Sequence, residues 1–265
     1  MVGAAGGVAA RVRALAAGYE PPSFGRVPDP DAAIFLCAVD HRTGYERSHE
    51  VDGRGPFSGS ELMWELGLRA HQRGGGLLRA ERLVEVGEGE VAVWFRAGDE
   101  TVADPGRRAA LWRDLAAGLI RDFEGSAAAL LAASGGALAG GRGLVGLLSR
   151  YEAYSDPLAK KTFLFAKICE RRGWLDVADP ESWEVSADSV LMRLALRSGL
   201  VAPGPLDEVR ASTRAALKEL AAETGLSPPL LDDLLWELGR DDPDLLGASA
   251  GDLAEPAREP KSHWY

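Results

Sequence analysis

The sequence predicts a mostly α fold of about ten short helices in two lobes. Asp-Pro pairs recur at 29–30, 104–105, 156–157 and 179–180, where the acid caps a helix and the proline takes its first position. Apolar residues return at three- and four-residue spacing along most of the chain, and Gly173, Gly199 and Gly225 close three of those runs. No series of alternating strands interrupts the pattern.

In order, residues 5–18 carry Val8, Val12 and Leu15 at helical spacing and stop before Pro21-Pro22, so 1–29 reads as a first helix with a linker. The helix from Asp29-Pro30 through Ile34, Phe35, Leu36, Cys37 and Val39 is apolar all round and therefore buried. It ends in Asp40-His41-Arg42-Thr43, a polar cluster placed where a scaffold can hold side chains over a cleft, or an ordinary solvated cap. Val51 to Gly55 is a turn, with a short hairpin as an option. A helix then opens at Ser58 or Ser60 and runs to the glycines 74–76, with Trp64 expected in the core. Two short helices follow between Leu83 and Phe95, a strand at 91–93 being the alternative. The longest helix starts at Asp104-Pro105 with Leu111, Leu115 and Leu119, and Ser126 caps the next. Glycines at 135, 136, 140, 141 and 143 read as a joint between lobes within a domain spanning 30–245. They form no phosphate loop, because no GxxxxGK[ST] follows a strand.

Asp156 and Gly173 bound a helix in which Lys161 heads the stripe Leu164, Phe165 and Ile168. Asp188 leads Leu191, Met192 and Ala195 in the same way, in a helix that ends at Gly199. Two opposite charges thus enter the interior from successive helix starts. Buried charge is costly unless paired or used, so the pair is either structural or an active site. After the helix 206–224, Ser227-Pro228 opens LSPPLLDDLLWELGR, with Asp232 and Trp236 four apart on one face. An indole that stacks and a carboxylate that accepts from an N–H edge suit a nucleobase; a core tryptophan beside a surface acid is the alternative. From 246 to 265 the chain reads as a tail, closing on His263-Trp264-Tyr265.

Composition narrows the chemistry. With 265 residues and 46% hydrophobic content the chain can bury a full core. A formal charge of −10 opposes a wide footprint on duplex DNA or an anionic membrane, although a single anion remains open. Cys37 and Cys169 form no CxxC, and there are only four histidines, so no metal and no cofactor is expected and the compartment reads as reducing. The longest strongly apolar run, 32–39, is too short to span a bilayer, and a cytoplasmic location is expected.

KKTFLFAKI, SADSVLMRLALRSGLV and LAAETGLSPPLLDDLLWELGR together resemble the archaeal 8-oxoguanine DNA glycosylases of the helix-hairpin-helix superfamily over much of 158–240. The resemblance implies a DNA-glycosylase-like fold with its site in the inter-lobe cleft. It also implies an attacking Lys161, an assisting Asp188, and Asp232 and Trp236 on the base. Placing Lys160 on the family's lysine instead would bring Lys167 onto a second lysine of its pocket; the apolar stripe and Thr162 favour Lys161. A second resemblance covers about 8–265: DAAIFLCAVD, GSELMWELGLRA, FEGSAAALL, YSDPLAKK, SADSV, LLDDLLW and the terminal aromatics are similar to the queuosine salvage proteins. These release queuine from queuosine 5′-monophosphate, with the aspartate matched by Asp188 central. The chain departs where that family has its aromatic pocket-lining segment, carrying Asp40, His41, Arg42 and Thr43 instead.

Both resemblances imply cleavage of an N-glycosidic bond to a purine-like base. A carboxylate at Asp188 would stabilise the ribosyl cation. A neutral Lys161 amine near C1′ would form a Schiff base, whereas one that stays charged and paired with Asp188 or a phosphate would leave water to attack. The charge balance and the missing LxGVGxK hairpin favour a small-molecule nucleotide, although the run Lys160, Lys161, Lys167, Arg171, Arg172 could grip a phosphate backbone and a nucleotide needs only one or two such cations. Lys160, Lys167, Asp40, His41 and Arg42 are further candidates for binding it. DNA is the alternative partner, and a non-enzymatic helical interaction module the third reading.

Overall fold

A computed structural model describes residues 2–254, 256 and 262–264, the first five by backbone alone. Among them are twelve α-helices and one two-stranded antiparallel sheet, so the mostly helical expectation holds. The chain divides into a larger unit, residues 24–180 with 263–265, and a smaller one, residues 1–23 with 181–262. The break falls after Ser23 and Pro180. The glycine-rich stretch 135–143 lies inside the larger unit.

The larger unit is built on α2 (Pro30–Val39), nine of whose ten residues are buried. Asp29 opens it as expected, its carboxylate accepting from the Ala32 amide at 2.9 Å. Around α2 pack α3 (Gly59–Arg73), α6 (Pro105–Phe123), α7 (Ala127–Ser134) and α9 (Lys160–Arg171). Side chains from outside tie down its carbonyls: Trp112 Nε1 donates to Phe35 and the Tyr154 hydroxyl to Ile34, each at 2.6 Å. The hairpin option is realised by β1 (His49–Val51) and β2 (Arg54–Phe57), paired His49 to Phe57 and Val51 to Arg54. Residues 91–93 are helical, within α5 (Glu88–Trp94), which follows the short α4 (Ala80–Leu83). The expectation of a core Trp64 fails: the indole is only half-buried, and its N–H donates to Asp40 at 3.2 Å.

Between α7 and α8 (Leu144–Leu148) the glycine-rich stretch is held in place. Leu138 and Leu144 are fully buried, and the Asp179 carboxylate accepts from the amides of Leu138 and Ala139 at 2.7 and 3.0 Å. Asp179-Pro180 therefore opens only a single 3-10 turn, Pro180–Ser182. The Asp156-Pro157 pair also fails to start a helix directly. The chain first turns through Ala159 at φ +48° and α9 begins at Lys160. Asp156 acts from outside, accepting from the amides of Leu158 and Lys160 at 3.1 and 3.2 Å.

In the smaller unit α1 (Val2–Ala16) packs on α11 (Leu206–Thr224), and α10 (Ser189–Ser198) packs on both α11 and α12 (Pro228–Gly239). Val8, Val12, Leu194, Leu217, Leu231 and Leu234 form its core. Burying each such side chain stabilises by about 2 kcal/mol. Residues expected in a loose tail are tied to the end of α10: Arg197 pairs with Asp244 and Asp252, and Ser249 Oγ donates to the Ser198 carbonyl. Tyr265 lies outside the described residues.

Candidate functional site

The larger unit gathers its polar candidates at the C-terminal end of α2. Lys161, 1% exposed, enters from the first turn of α9 and donates through Nζ to the Ala38 carbonyl at 2.6 Å. The same nitrogen lies 3.3 Å from His41 Nδ1. Burial, with Lys160 adding like charge, pushes the Lys161 amine well below its ordinary range. Burial also pushes His41 well below 6.5, and Lys161 and Arg108 add to the effect.

Asp40 ends α2 and is held from α3. Ser60 Oγ donates to one oxygen at 2.7 Å and the Trp64 indole to the other. Arg108, wholly buried in the first turn of α6, donates to the carbonyls of Ala103, His41 and Arg42. A cation at a helix C-terminus complements the peptide dipoles. Burial pulls this guanidinium down to about 10, opposed first by Asp40, which leaves it charged at neutral pH. Arg42 stands at φ +26°, with Asp104 at 3.9 Å.

The terminal histidine belongs to the same unit. Arg107 lies 3.1 Å from His263 Nδ1, and a guanidinium only donates. Nδ1 is therefore the acceptor, and Nε2 carries the hydrogen that goes to the Glu152 carbonyl at 2.7 Å. Burial depresses this imidazole too. Its ring meets that of His41 edge-on, with centroids 6.2 Å apart. Trp264 donates from its indole to Ser155 Oγ at 3.3 Å.

In the smaller unit Asp188 and Asp232 both meet Ser186. Asp232, 7% exposed, accepts the Ser186 N–H at 2.9 Å, while the Asp188 N–H donates to the Ser186 carbonyl at 2.8 Å. Asp188 caps α10, one carboxylate oxygen accepting from the Leu191 amide at 3.0 Å. Trp236, one turn beyond Asp232, is half-buried against the core, with the Arg240 guanidinium 5.3 Å from its ring centre.

The candidates sort by unit. Asp40, His41, Arg42, Lys160, Lys161 and Lys167 fall in the larger, and Asp188, Asp232 and Trp236 in the smaller. Lys161 reaches His41, Lys167 is buried on α9, and Lys160 is half-buried at its start. Sequence reasoning missed Ser60, Trp64, Arg107 and Arg108. For Arg108 a signal existed, since it heads the stripe Leu111, Trp112 and Leu115 as Lys161 heads its own. Two surface hollows of about 580 and 560 Å³ contain none of the candidates. Among the described residues no cluster of three or more His, Cys, Asp or Glu could hold a metal, and no helix is long and apolar enough to cross a membrane. No protein-family model matches the chain, and no curated protein matches it at a significant level.

Proposed function

We propose that the chain is an N-glycosidase. It hydrolyses the bond between ribose and a modified purine of the 7-deazapurine or queuosine type in a nucleoside 5′-monophosphate, and releases the base for salvage. The observation that carries this reading is the meeting of two buried acids at Ser186, whose N–H donates to the Asp232 carboxylate and whose carbonyl accepts the Asp188 backbone N–H, with Trp236 one turn beyond Asp232 on α12. A DNA-glycosylase-like helical fold is part of the proposal.

The indole of Trp236 stacks on the base, and Asp232 accepts from its N–H edge. As the bond from C1′ to the base nitrogen breaks, its electron pair leaves with the base and positive charge spreads over the ribosyl ring. The Asp188 carboxylate, fixed by its capping bond, stabilises that charge and orients a water. Water oxygen bonds to C1′, one water proton passes to the departing base, and the other stays on the new C1′ hydroxyl.

Lys161 decides the branch. A nucleophile must reach C1′, yet this amine is 1% exposed and already engaged by the Ala38 carbonyl and His41. Its role is read as holding the end of α2, with water as the nucleophile. The depressed Lys161 amine gives a DNA glycosylase and lyase its own support, because Schiff-base attack needs a neutral nitrogen.

The test offers purified protein queuosine, 7-deazapurine and ordinary purine 5′-monophosphates beside an 8-oxoguanine duplex, with and without borohydride. Free base from a monophosphate with no trapped adduct is expected. A borohydride-trapped DNA adduct lost in Lys161→Ala would replace hydrolysis by lyase chemistry; loss only in Lys160→Ala would move that role by one residue. No base released from any substrate would leave the interaction module.

A further inference from the structure

A hollow of about 560 Å³ on the larger unit, which includes none of the candidate site residues, is lined by Arg69, Arg73, Leu77, Val93, Trp94 and Arg96. Three arginines in one place contrast with a chain whose formal charge is −10. Arg73 pairs with Asp52 at 2.7 Å, but Arg69 and Arg96 have no carboxylate partner among the described residues. Arg69 instead donates to the Arg96 carbonyl at 3.1 Å, which fixes one guanidinium beside the other residue's backbone. Between them the surface is apolar. Val93 is 61% exposed, one of only two large apolar side chains described as exposed, and Leu77 and Trp94 are half-buried beside it.

We infer that this hollow docks an acidic segment of a partner protein, with an aliphatic or aromatic side chain seated on Val93, Leu77 and Trp94 and carboxylates on Arg69 and Arg96. An apolar centre with arginine and tryptophan beside it has the makeup of a protein-binding patch. Guanidinium groups pair with carboxylates through two parallel N–H bonds. A nucleic-acid strand fits less well. It would need a basic track continuing beyond the hollow.

The test pans a random dodecapeptide phage library on the full chain, with counter-selection on Arg96→Glu. Arg96 is exposed, so the variant is expected to keep the wild-type circular dichroism spectrum and melting point. Enriched peptides should carry carboxylates around an apolar residue. By fluorescence anisotropy they should bind the wild type at least about tenfold more tightly than Arg96→Glu or Val93→Ser, and weaken as salt is raised. Three results would overturn the inference: no enrichment over the counter-selection, enriched peptides without acidic residues, or an oligothymidylate that binds through Arg96 where the peptides do not.

Discussion

At the scale of single residues, burial holds two imidazoles and an amine below their ordinary ranges, while a buried guanidinium stays charged. The sign of the pH dependence follows. His41 and His263 sit below 6.5 in the folded chain and return to 6.5 when it unfolds. As pH falls below 6.5, the unfolded state takes up protons that the folded state refuses, and stability drops until the folded values are reached. The loss approaches about 1.4 kcal/mol per pH unit for each group. His41→Gln is expected to show a visibly shallower fall in melting temperature between pH 7 and 5 than the wild type; parallel curves would mean His41 titrates freely. The burial of Lys161 was legible because a cation heading an apolar stripe has only one way to face. The buried Arg108 obeys the same rule and escaped notice, since the leucines of α6 draw the eye past its first turn. The link between Asp232 and Ser186 was not legible at all, for it joins residues 46 apart through a backbone amide.

At the scale of elements, helix interiors were readable from spacing, whereas their starts depended on the turn before them. Asp29 caps directly, but the same dipeptide at 156–157 is followed by Ala159 in the left-handed region, so the helix waits until Lys160. Close approach is the other thing spacing hides. Within α6, Gly118 lets the Tyr151 ring lie against the helix, and a Cβ there would fall 2.1 Å from a ring carbon. Gly118→Ala gains about 1 kcal/mol of helix propensity but forces a rigid ring to move, at a cost of about 1–3 kcal/mol. Net destabilisation in urea melts is expected. A stabilised variant would show that the contact between α6 and Tyr151 yields freely.

At the scale of the whole molecule, the all-helical class was fixed by periodicity and punctuation, but the partition was not. The smaller unit joins α1 to α10, α11 and α12 across the intervening larger unit. No local pattern announces such a long-range partnership. Glycine content suggested a joint at 135–143, yet Asp179 and the buried Leu138 and Leu144 pin that stretch. Val12 is fully buried in the smaller unit's core, so Val12→Asp places an unpaired charge there. Hydrogen exchange should show protection lost in α1, α10, α11 and α12 but kept in α2, α6 and α9. Uniform loss through all seven helices would mean the two units share one cooperative core.

The central claim is that the Asp188 carboxylate stabilises a ribosyl cation. The most direct test is the rate of free-base release from the best nucleoside 5′-monophosphate, measured in single turnover for wild type and Asp188→Asn with matched circular dichroism spectra. Asparagine retains an oxygen to cap α10 but carries no charge. A rate lower by about a thousandfold is expected. Base release at the wild-type rate by a folded Asp188→Asn would contradict the mechanism.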